Sequence, residues 1–233
     1  MKVIAILPAY NAAATLAPFL SSFPKHLVSE IILVDDCSVD GTWKLAKRLG
    51  GVTVYKTPHN LGYGGNLKYC LGKALAHGAD AIIEIHPDGE YGFDGIGPAI
   101  RAVKGGAALV LGNRFARDPV AHGMRPMKYL VSRVLTAVEN VVLGTRIPDL
   151  HQGFRVYTRK LLQGIDFRRN SDDYLFSFEI IVQAAAAGFS IASVPVSVHY
   201  TGRKRGASYK ASVLYTIGTL RVLYETNHLS RMR

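Results

Sequence analysis

Cysteine is scarce in this sequence, because the 233 residues contain two, Cys37 and Cys70, and no C-x-x-C pair. This scarcity excludes a disulfide framework and a cysteine-based zinc site, and it favours a reduced, cytosolic compartment. Long apolar runs are missing as well, since no stretch approaches the roughly 18 residues of a membrane-spanning helix. The apolar stretch before Pro8 is too short for a signal peptide. We therefore expect any association with a membrane to be peripheral.

The glycine motifs that bind phosphate in many nucleotide enzymes are also absent. No G-x-G-x-x-G follows the first apolar run and no G-x-x-x-x-G-K-[ST] occurs anywhere, which excludes the common dinucleotide and P-loop cradles. The sequence lacks G-x-S-x-G and H-E-x-x-H, so hydrolase and zinc-protease functions lose their usual support. A glycine-rich segment, Gly62 to Gly65, is present after the third apolar run. Ligand contact and a tight turn before a helix are equally open there.

The composition is that of a globular protein with an anionic partner. Hydrophobic residues make up 48% and charged residues 19%, which excludes wholesale disorder. The formal net charge of +11 fits nucleic acid, an anionic membrane surface or a small phosphorylated substrate. Few aromatic residues lie among the basic ones, which argues against a platform for stacking nucleic-acid bases. No nucleic-acid partner is therefore predicted.

Short apolar runs alternate with segments of helical periodicity, and this alternation predicts an α/β fold. The strands are expected at residues 2–7, 30–34, 52–55, 81–85, 108–111, 153–158 and 191–198. One helix is predicted from about Asn66 to His77, and a final helix through about Tyr224. The order of these elements predicts a mostly parallel sheet flanked by helices.

The segment from His122 to Gly144 has apolar residues at helical spacing and basic residues between them. The apolar positions are Met127, Leu130, Val131, Val134, Leu135, Val138 and Val142, and the basic ones are Arg125, Lys128 and Arg133. Such a helix either packs on the core with its basic side chains in solvent or lies against a membrane. The core-facing orientation is the slightly favoured expectation.

A buried strand at residues 81–85 is followed directly by His86, Asp88 and Glu90. Taken alone, these residues fit an ordinary polar turn. The carboxyl ends of parallel strands, however, meet at the edge where open α/β sheets bind ligands. Asp88 and Glu90 at that edge are suitable ligands for a hard divalent ion.

Other strand ends supply further polar groups to the same edge. Asp35 and Asp36 follow the second strand and are able to accept hydrogen bonds from a base or a ribose. Guanidinium groups that neutralise phosphate are available at Arg114, Arg155, Arg203 and Arg205. Carboxylates for a metal together with arginines for phosphate favour a nucleotide diphosphate bound through a metal ion.

The motifs at these strand ends carry a family resemblance. They are Pro8-Ala-Tyr-Asn11, Val34-Asp-Asp-Cys-Ser-Val-Asp-Gly-Thr42, Asn60-Leu-Gly-Tyr-Gly64, His86-Pro-Asp-Gly-Glu-Tyr91, Gly112-Asn-Arg114, Asp149-Leu-His-Gln-Gly-Phe-Arg155 and Arg203-Lys-Arg-Gly-Ala-Ser208. Their order resembles that of the family 2 glycosyltransferases of GT-A fold, above all dolichol-phosphate mannose synthases and related polyprenyl-phosphate glycosyltransferases. The resemblance covers about residues 2 to 210 and implies a Rossmann-like, GT-A catalytic domain at residues 1–210. An amphipathic helical extension at residues 211–233 is expected to follow it.

The resemblance implies a donor site and a metal site. The nucleotide-sugar-binding residues that it implies are Pro8, Tyr10, Asp35, Asp36, Gly64, Asp88, Arg203 and Ser208, and the metal ligands are Asp88, Glu90 and His86. His86 stands where the family has Asp, and Glu90 stands where Gln is usual. Histidine is a better ligand for manganese than for magnesium, so Mn²⁺ is the expected cofactor and Mg²⁺ the alternative.

The acceptor side is implied by the motif that ends at Arg155. The residues expected there are Gln152, Arg155 and Arg205, with Gln152 in place of the family's Ser. The residues expected to take part in catalysis are Asp88, Asp149, Arg114 and Arg155. Asp149 is the candidate base if the acceptor is a sugar hydroxyl, although a turn residue after Pro148 is the plain alternative.

The resemblance implies a function at a membrane surface. We expect inverting, metal-dependent transfer of a sugar, mannose favoured, from GDP-mannose or UDP-glucose to a polyprenyl, dolichyl-type phosphate. Because no spanning helix is predicted, the enzyme is expected to dock peripherally on the cytoplasmic face of an anionic membrane or to work with a separate membrane subunit. Two alternatives remain open: transfer to a hydroxyl of a glycan or glycolipid, and a catalytically weak nucleotide-sugar-binding protein, which the altered metal motif suggests.

Overall fold

The computed structural model describes the backbone of residues 1–200 and 209–231, and the side chains of residues 1–200 and 213–225. The strands are β1 (Val3–Ala9), β2 (Glu30–Asp35), β3 (Thr53–Lys56), β4 (Ala81–Glu84), β5 (Leu109–Asn113), β6 (Arg155–Thr158) and β7 (Ile191–Pro195). The α-helices are α1 (Ala13–Ser22), α2 (Thr42–Leu49), α3 (Gly62–Ala76), α4 (Ile96–Lys104), α5 (Pro126–Leu143), α6 (Arg159–Gly164), α7 (Phe176–Ala186) and α8 (Tyr209–Arg231). The predicted α/β fold is confirmed, and α8 extends past the predicted end at Tyr224.

The strands form one sheet in the order β3-β2-β1-β4-β6-β5-β7. All neighbouring pairs are parallel except those of β6, which is antiparallel to both β4 and β5. The prediction of a mostly parallel sheet is therefore confirmed. Because β6 runs in the opposite direction, residues 149–154, which lead into it, lie at the edge where the parallel strands end.

The sheet is buried on both faces, as its continuous apolar runs predict. Side chains alternate along β1, so that Ile4 and Ile6 belong to one hydrophobic cluster while Ala5 and Leu7 belong to the other. Helices α3, α6 and α7 contribute to the first cluster, and α1, α2 and α4 contribute to the second. Both layers hold the strands rigidly, and this fixes the positions of the loops at the carboxyl edge.

The glycine-rich segment forms the first turn of α3, so the prediction that this helix begins near Asn66 was wrong by one turn. The amide groups of a first helical turn need partners outside the helix, and here the carbonyl oxygen of Asp172 accepts from Gly64 N at 2.8 Å and from Gly65 N at 3.2 Å. A Cβ atom on Gly64 would lie 2.7 Å from Phe176 Cβ and 2.8 Å from Asp173 O. The absence of a side chain at Gly64 thus allows α3 to pack against residues 171–173.

Replacing Gly64 by alanine is expected to destabilise the protein by about 1–3 kcal/mol, because the added methyl group forces the backbone at residues 171–173 to move. Gly72 lies in the same helix, and a Cβ there would meet nothing within 4 Å. Gly72→Ala is therefore the matched control and is expected to be neutral or stabilising by up to about 1 kcal/mol. Urea denaturation of both variants measures the difference, and equal effects would contradict the packing role of Gly64.

Helix α5 is oriented opposite to the favoured expectation. Its buried residues are Thr136 and Glu139, which are polar. Its exposed apolar residues, which we call the apolar face of α5, are Met127, Leu130, Val131, Val134, Val138, Val141 and Val142. The core-facing prediction for this stripe was wrong, because a buried Glu139 holds the polar side of the helix against the protein. A run of apolar side chains of this size on a surface is typical of an interaction site.

Helix α8 packs against α5 and α7. Its exposed apolar residues include Val213, Leu214, Ile217, Leu220 and Tyr224. Within residues 1–200 and 209–231, none of the helices combines the length and the apolar character that crossing a membrane requires.

Candidate active site

A large cleft of about 1210 Å³ lies along the carboxyl edge of the sheet. The loop after β1 and the start of α3 line one end of the cleft. Residues after β4 form its floor. Helices α5 and α8 and the segment before β6 line the other end. A cleft of this volume exceeds that of an ordinary small-molecule pocket. It therefore has room for two substrates side by side.

The predicted donor residues divide into those that line the cleft and those that support it. Pro8, Tyr10 and Asp36 line it. Asp36 also fixes the neighbouring loop, since its Oδ1 accepts from Leu61 N at 2.8 Å and from the Thr57 hydroxyl at 2.9 Å.

Asp35 and Gly64 lie beneath the wall of the cleft. Asp35 is fully buried, its Oδ2 accepts from Ser38 N at 3.3 Å, and its Oδ1 has no hydrogen-bond partner among the described residues. Gly64 is buried against residues 171–173. Both residues therefore shape this end of the cleft without being among those that line it.

Two carboxylates lie on the floor of the cleft at Asp88 and Glu90. Asp88 Oδ1 accepts from Glu90 N at 2.9 Å, which holds the two side chains on one short turn. Burial and the nearby charge of Asp88 together raise the pKa of Glu90. Within the described residues, no three His, Cys, Asp or Glu side chains form a complete metal site. Two carboxylates fit a divalent ion whose remaining ligands come from substrate phosphates and water.

His86 has a different set of contacts from Asp88 and Glu90. Its Nε2 lies 3.2 Å from Glu84 Oε1, and its ring stacks on Tyr63 with the centroids 5.5 Å apart. Burial alone lowers the pKa of His86, but the hydrogen bond and charge of Glu84 outweigh it, so that the pKa is raised. Because Glu84 occupies Nε2, Nδ1 is the ring nitrogen left for a metal ion.

Arg114 and Asp149, both predicted to take part in catalysis, form a buried ion pair. Arg114 Nε lies 2.8 Å from Asp149 Oδ2 and its NH2 lies 2.9 Å from Oδ1, so the guanidinium group binds both carboxylate oxygens. Burial raises the pKa of Asp149, but the Arg114 charge outweighs burial and the pKa is lowered. Arg114 lines the cleft whereas Asp149 lies behind it. Asp149 thus positions Arg114, and both of its oxygens are already occupied.

The other predicted acceptor residues lie at the entrance to β6. Gln152 and Arg155 line the cleft, and each has a buried nitrogen that finds no hydrogen-bond partner within the described part of the chain: Nε2 of Gln152 and Nε of Arg155. Such donors are available to a ligand oxygen. The predicted residues Arg203, Arg205 and Ser208 lie outside the described side chains.

The family model for glycosyl transferase family 2 matches residues 4–165, which include the whole floor of this cleft. The chain belongs to glycosyl transferase family 2. The resemblance inferred from the motifs is therefore confirmed, and the protein is a glycosyltransferase.

Two relatives whose names refer to polyprenol or dolichyl phosphate align with most of this chain. Polyprenol monophosphomannose synthase of Mycolicibacterium smegmatis is 27% identical over 215 residues, which cover 89% of this chain and 80% of the relative. The UDP-N-acetylglucosamine–dolichyl-phosphate N-acetylglucosaminyltransferase of Methanococcus voltae is 25% identical over 213 residues, which cover 84% of this chain and 85% of the relative.

A solved structure confirms the GT-A fold of this glycosyltransferase. Glucosyl-3-phosphoglycerate synthase of Mycobacterium tuberculosis, crystallised with Mn²⁺, uridine diphosphate and glucosyl-3-phosphoglycerate, superimposes with a TM-score of 0.72. The alignment covers 97% of this chain and 80% of that chain at 21% identity. Identity at this level establishes the fold alone.

Beneath the cleft of this family 2 enzyme lies a buried polar network that the motifs did not indicate. Glu84 is fully buried and accepts from Arg155 NH1 at 3.1 Å, from the Tyr63 hydroxyl at 3.0 Å and from the Tyr157 hydroxyl. Glu84 and Arg155 are direct partners in the register of β4 and β6. Burial raises the pKa of Glu84, but Arg155 outweighs it and the pKa is lowered. A glutamate inside a run of isoleucines is the sequence signal that points to such a network.

Proposed function

We propose that the enzyme transfers a hexose, with mannose favoured, from a nucleotide diphosphate sugar to a polyprenyl phosphate at a membrane surface. The observation that carries this proposal is the apolar rim of the cleft. Met127 and Val131 line the cleft and are 71% and 50% exposed. They belong at once to the active site and to the apolar face of α5. An acceptor that combines a phosphate with a long hydrocarbon chain matches this continuity.

Basic residues at the same rim complement the phosphate of such an acceptor and an anionic leaflet. Arg125 and Lys128 line the cleft, and Arg133 is exposed one turn further along α5. Each basic side chain near an anionic membrane contributes roughly 1 kcal/mol to binding. The net charge of +11 has the sign that this docking requires. Peripheral binding to the cytoplasmic face follows from the proposal, with a separate membrane subunit as the other means of attachment.

The chemistry rests on positioning and on charge. An acceptor phosphate, with a second pKa near 6, is itself the nucleophile, and it attacks the anomeric carbon in one inverting displacement. Asp88 and Glu90 would hold the divalent metal, Mn²⁺ favoured over Mg²⁺, which when bound neutralises the diphosphate of the donor. Arg114 and Arg155 add positive charge where the leaving group and the acceptor phosphate meet.

Transfer of radiolabelled sugar tests the proposed function. The enzyme is incubated with Mn²⁺, with GDP-mannose, UDP-glucose or another nucleotide sugar, and with polyprenyl phosphate in vesicles. We expect labelled lipid, with GDP-mannose the first donor to examine and UDP-glucose the second. Phosphoglycerate and free glycans serve as competing acceptors. Exclusive transfer to one of these would contradict the lipid assignment, and donor binding without any transfer would favour a nucleotide-sugar-binding protein.

A double variant tests the membrane role of α5. Val134→Glu with Val141→Glu places two charges on the apolar face, and we expect binding to anionic vesicles to weaken at least about tenfold, because each buried valine contributes about 1.5 kcal/mol. Neither residue lines the cleft, so transfer to a short-chain, water-soluble polyprenyl phosphate should persist. Val39→Glu is the control, since Val39 is 86% exposed and Val141 is 84% exposed. Vesicle co-sedimentation provides the measurement, and equal binding by both variants would contradict this role.

A further inference from the structure

The inward side of α5 carries a buried carboxylate that the proposed chemistry does not use. Glu139 is fully buried, and its Oε2 lies 2.7 Å from Nε2 of His151. Neither carboxylate oxygen of Glu139 has a well-aligned hydrogen bond within the described residues. Burying a carboxylate is costly unless a positive or hydrogen-bonding partner compensates it. The partner in place is His151, which lies at the acceptor end of the cleft.

His151 connects this carboxylate to the cleft. Its ring stacks on Phe178 of α7 with the centroids 6.0 Å apart, and its Nδ1 lies 2.9 Å from the hydroxyl of Tyr215 on α8. His151 and Tyr215 both line the cleft. Three side chains from α5, from the segment before β6 and from α8 therefore form a continuous chain that begins in the interior and ends at the wall of the acceptor site.

The chemistry of Glu139, His151 and Tyr215 determines which group donates and which accepts at each contact. A carboxylate accepts hydrogen bonds only, so the hydrogen of a neutral His151 belongs on Nε2, which lies 2.7 Å from Glu139 Oε2 but is not aligned with it as a hydrogen bond among the described residues. Nδ1 then has a lone pair and accepts from the Tyr215 hydroxyl. Burial raises the pKa of Tyr215, which keeps this phenol protonated. The tyrosine oxygen is left with lone pairs that are able to accept a proton or hydrogen bond from a ligand.

We propose that Glu139, His151 and Tyr215 form a proton-accepting relay that removes a proton from an O–H group of the acceptor. The proposal rests on the proposed glycosyl transfer and adds to it the residues that activate the acceptor. Tyr215 is the catalytic residue that contacts the acceptor. His151 and Glu139 are positioning residues that act through it.

The step balances without any additional reactant. The acceptor oxygen forms a bond to the anomeric carbon as the bond from that carbon to the diphosphate breaks, and the nucleoside diphosphate leaves with the electron pair. The acceptor O–H proton moves to the Tyr215 oxygen, and the original Tyr215 proton moves to Nδ1 of His151. The resulting imidazolium is neutralised by Glu139. His151 returns its proton to solvent after the product leaves.

The only other acidic candidate in this motif is already engaged. Asp149 lies two residues before His151, and both of its oxygens bind Arg114. The charged and titratable groups that face the relay from the surrounding elements are Arg114, Asp149, Arg155 and Tyr63. The two arginines attract an anionic acceptor, and Glu139 is the carboxylate in contact with the imidazole Nε2.

Two acceptor groups offer the O–H bond that this chemistry requires. One is a phosphate monoester in its singly protonated form, and the other is a sugar or glycerate hydroxyl. Their pH dependences differ, because a phosphate loses its proton in water near pH 6 whereas a hydroxyl does not. The need for a relay therefore disappears at high pH for a phosphate and persists for a hydroxyl.

The test uses the 233-residue chain and the variants Tyr215→Phe, His151→Gln and Glu139→Gln, assayed with Mn²⁺ and saturating nucleotide sugar at pH 5 and pH 8. With a phosphate acceptor, of which about a tenth is already ionised at pH 5, we expect kcat at pH 5 to fall about tenfold in Tyr215→Phe and His151→Gln. With a hydroxyl acceptor we expect a fall of about 10²-fold, the lower end of the effect of general bases. A smaller fall is expected for Glu139→Gln. The Kd of the nucleotide sugar should stay within twofold. A deficit that shrinks at pH 8 identifies a phosphate acceptor, and one that persists identifies a hydroxyl.

Tyr224→Phe is the control, because Tyr224 lies on the same helix and is 70% exposed. Retention of kcat within twofold at pH 5 by all three relay variants would overturn the proposal. The proposal would also be overturned if kcat fell only in variants whose midpoint of thermal unfolding fell in proportion. If the wild-type enzyme transfers nothing to polyprenyl phosphate, the proposed lipid acceptor fails, and the relay is then tested on the hydroxyl acceptor that the wild-type enzyme does use.

Discussion

Asp88→Asn is expected to reduce Mn²⁺-dependent sugar transfer by about 100-fold or more. Asparagine keeps the side-chain oxygen that accepts from Glu90 N, so the turn after β4 is retained. What is lost is the negative charge that, together with Glu90, would hold a divalent ion on the floor of the cleft. Loss of a single preorganised electrostatic contact to a developing charge typically costs 10²–10³ in rate.

Initial rates over a range of Mn²⁺ concentrations measure this effect, and calorimetry of nucleoside diphosphate binding with and without Mn²⁺ locates it in the metal site. Asp118→Asn is the matched control, because Asp118 Oδ1 accepts a similar loop hydrogen bond from Ala121 N, away from the cleft. A variant at Asp88 that keeps full Mn²⁺-dependent binding and turnover would rule out this assignment of the metal.

Glu84→Gln is expected to lower the free energy of unfolding by about 3–5 kcal/mol. The substitution leaves the buried guanidinium of Arg155 without a counter-charge, and breaking a buried ion pair from one side costs about this much. The lowered pKa of Glu84 has a further consequence. Its contribution to stability is complete above the ordinary glutamate pKa and is lost as pH falls through the lowered value of the folded state.

Urea denaturation at neutral pH measures the loss. Glu30→Gln is the control, because Glu30 is partly exposed and bonds Thr53 and His77 at the start of β2. It should cost no more than about 1 kcal/mol. Removing both charges, with Glu84→Met and Arg155→Met together, should recover much of the stability. An equal loss in the two glutamine variants would show that the buried pair has no special role.

The fold was predictable because its signals are local. Each strand is a short apolar run, and each cluster of polar residues follows such a run, so the sheet and its carboxyl edge follow from neighbouring residues alone. For the same reason Pro8, Tyr10, Asp36, Asp88 and Glu90, chosen from the sequence, do line one cleft. The number of strands and the class of fold needed no information about distant contacts.

The features that the sequence did not reveal depend on partners far away along the chain. The network around Glu84 exists because β6 enters antiparallel between β4 and β5 and places Arg155 opposite Glu84. The relay likewise joins Glu139, His151 and Tyr215 from three separate segments. The periodicity of α5 predicts an apolar stripe but does not predict whether the stripe faces the core or the solvent. In the structure Glu139 is buried and the stripe is exposed.

The place of β6 in the sheet also has a consequence for synthesis on the ribosome. Strand β4 pairs with β1 on one side and with β6 on the other. Until the chain has been made past Thr158, one side of β4 is therefore unpaired, and Glu84 lacks Arg155 and Tyr157 as partners. Open strand edges are prone to pair with other chains. The nascent N-terminal half of this enzyme is thus exposed to mispairing until β6 emerges and pairs with β4.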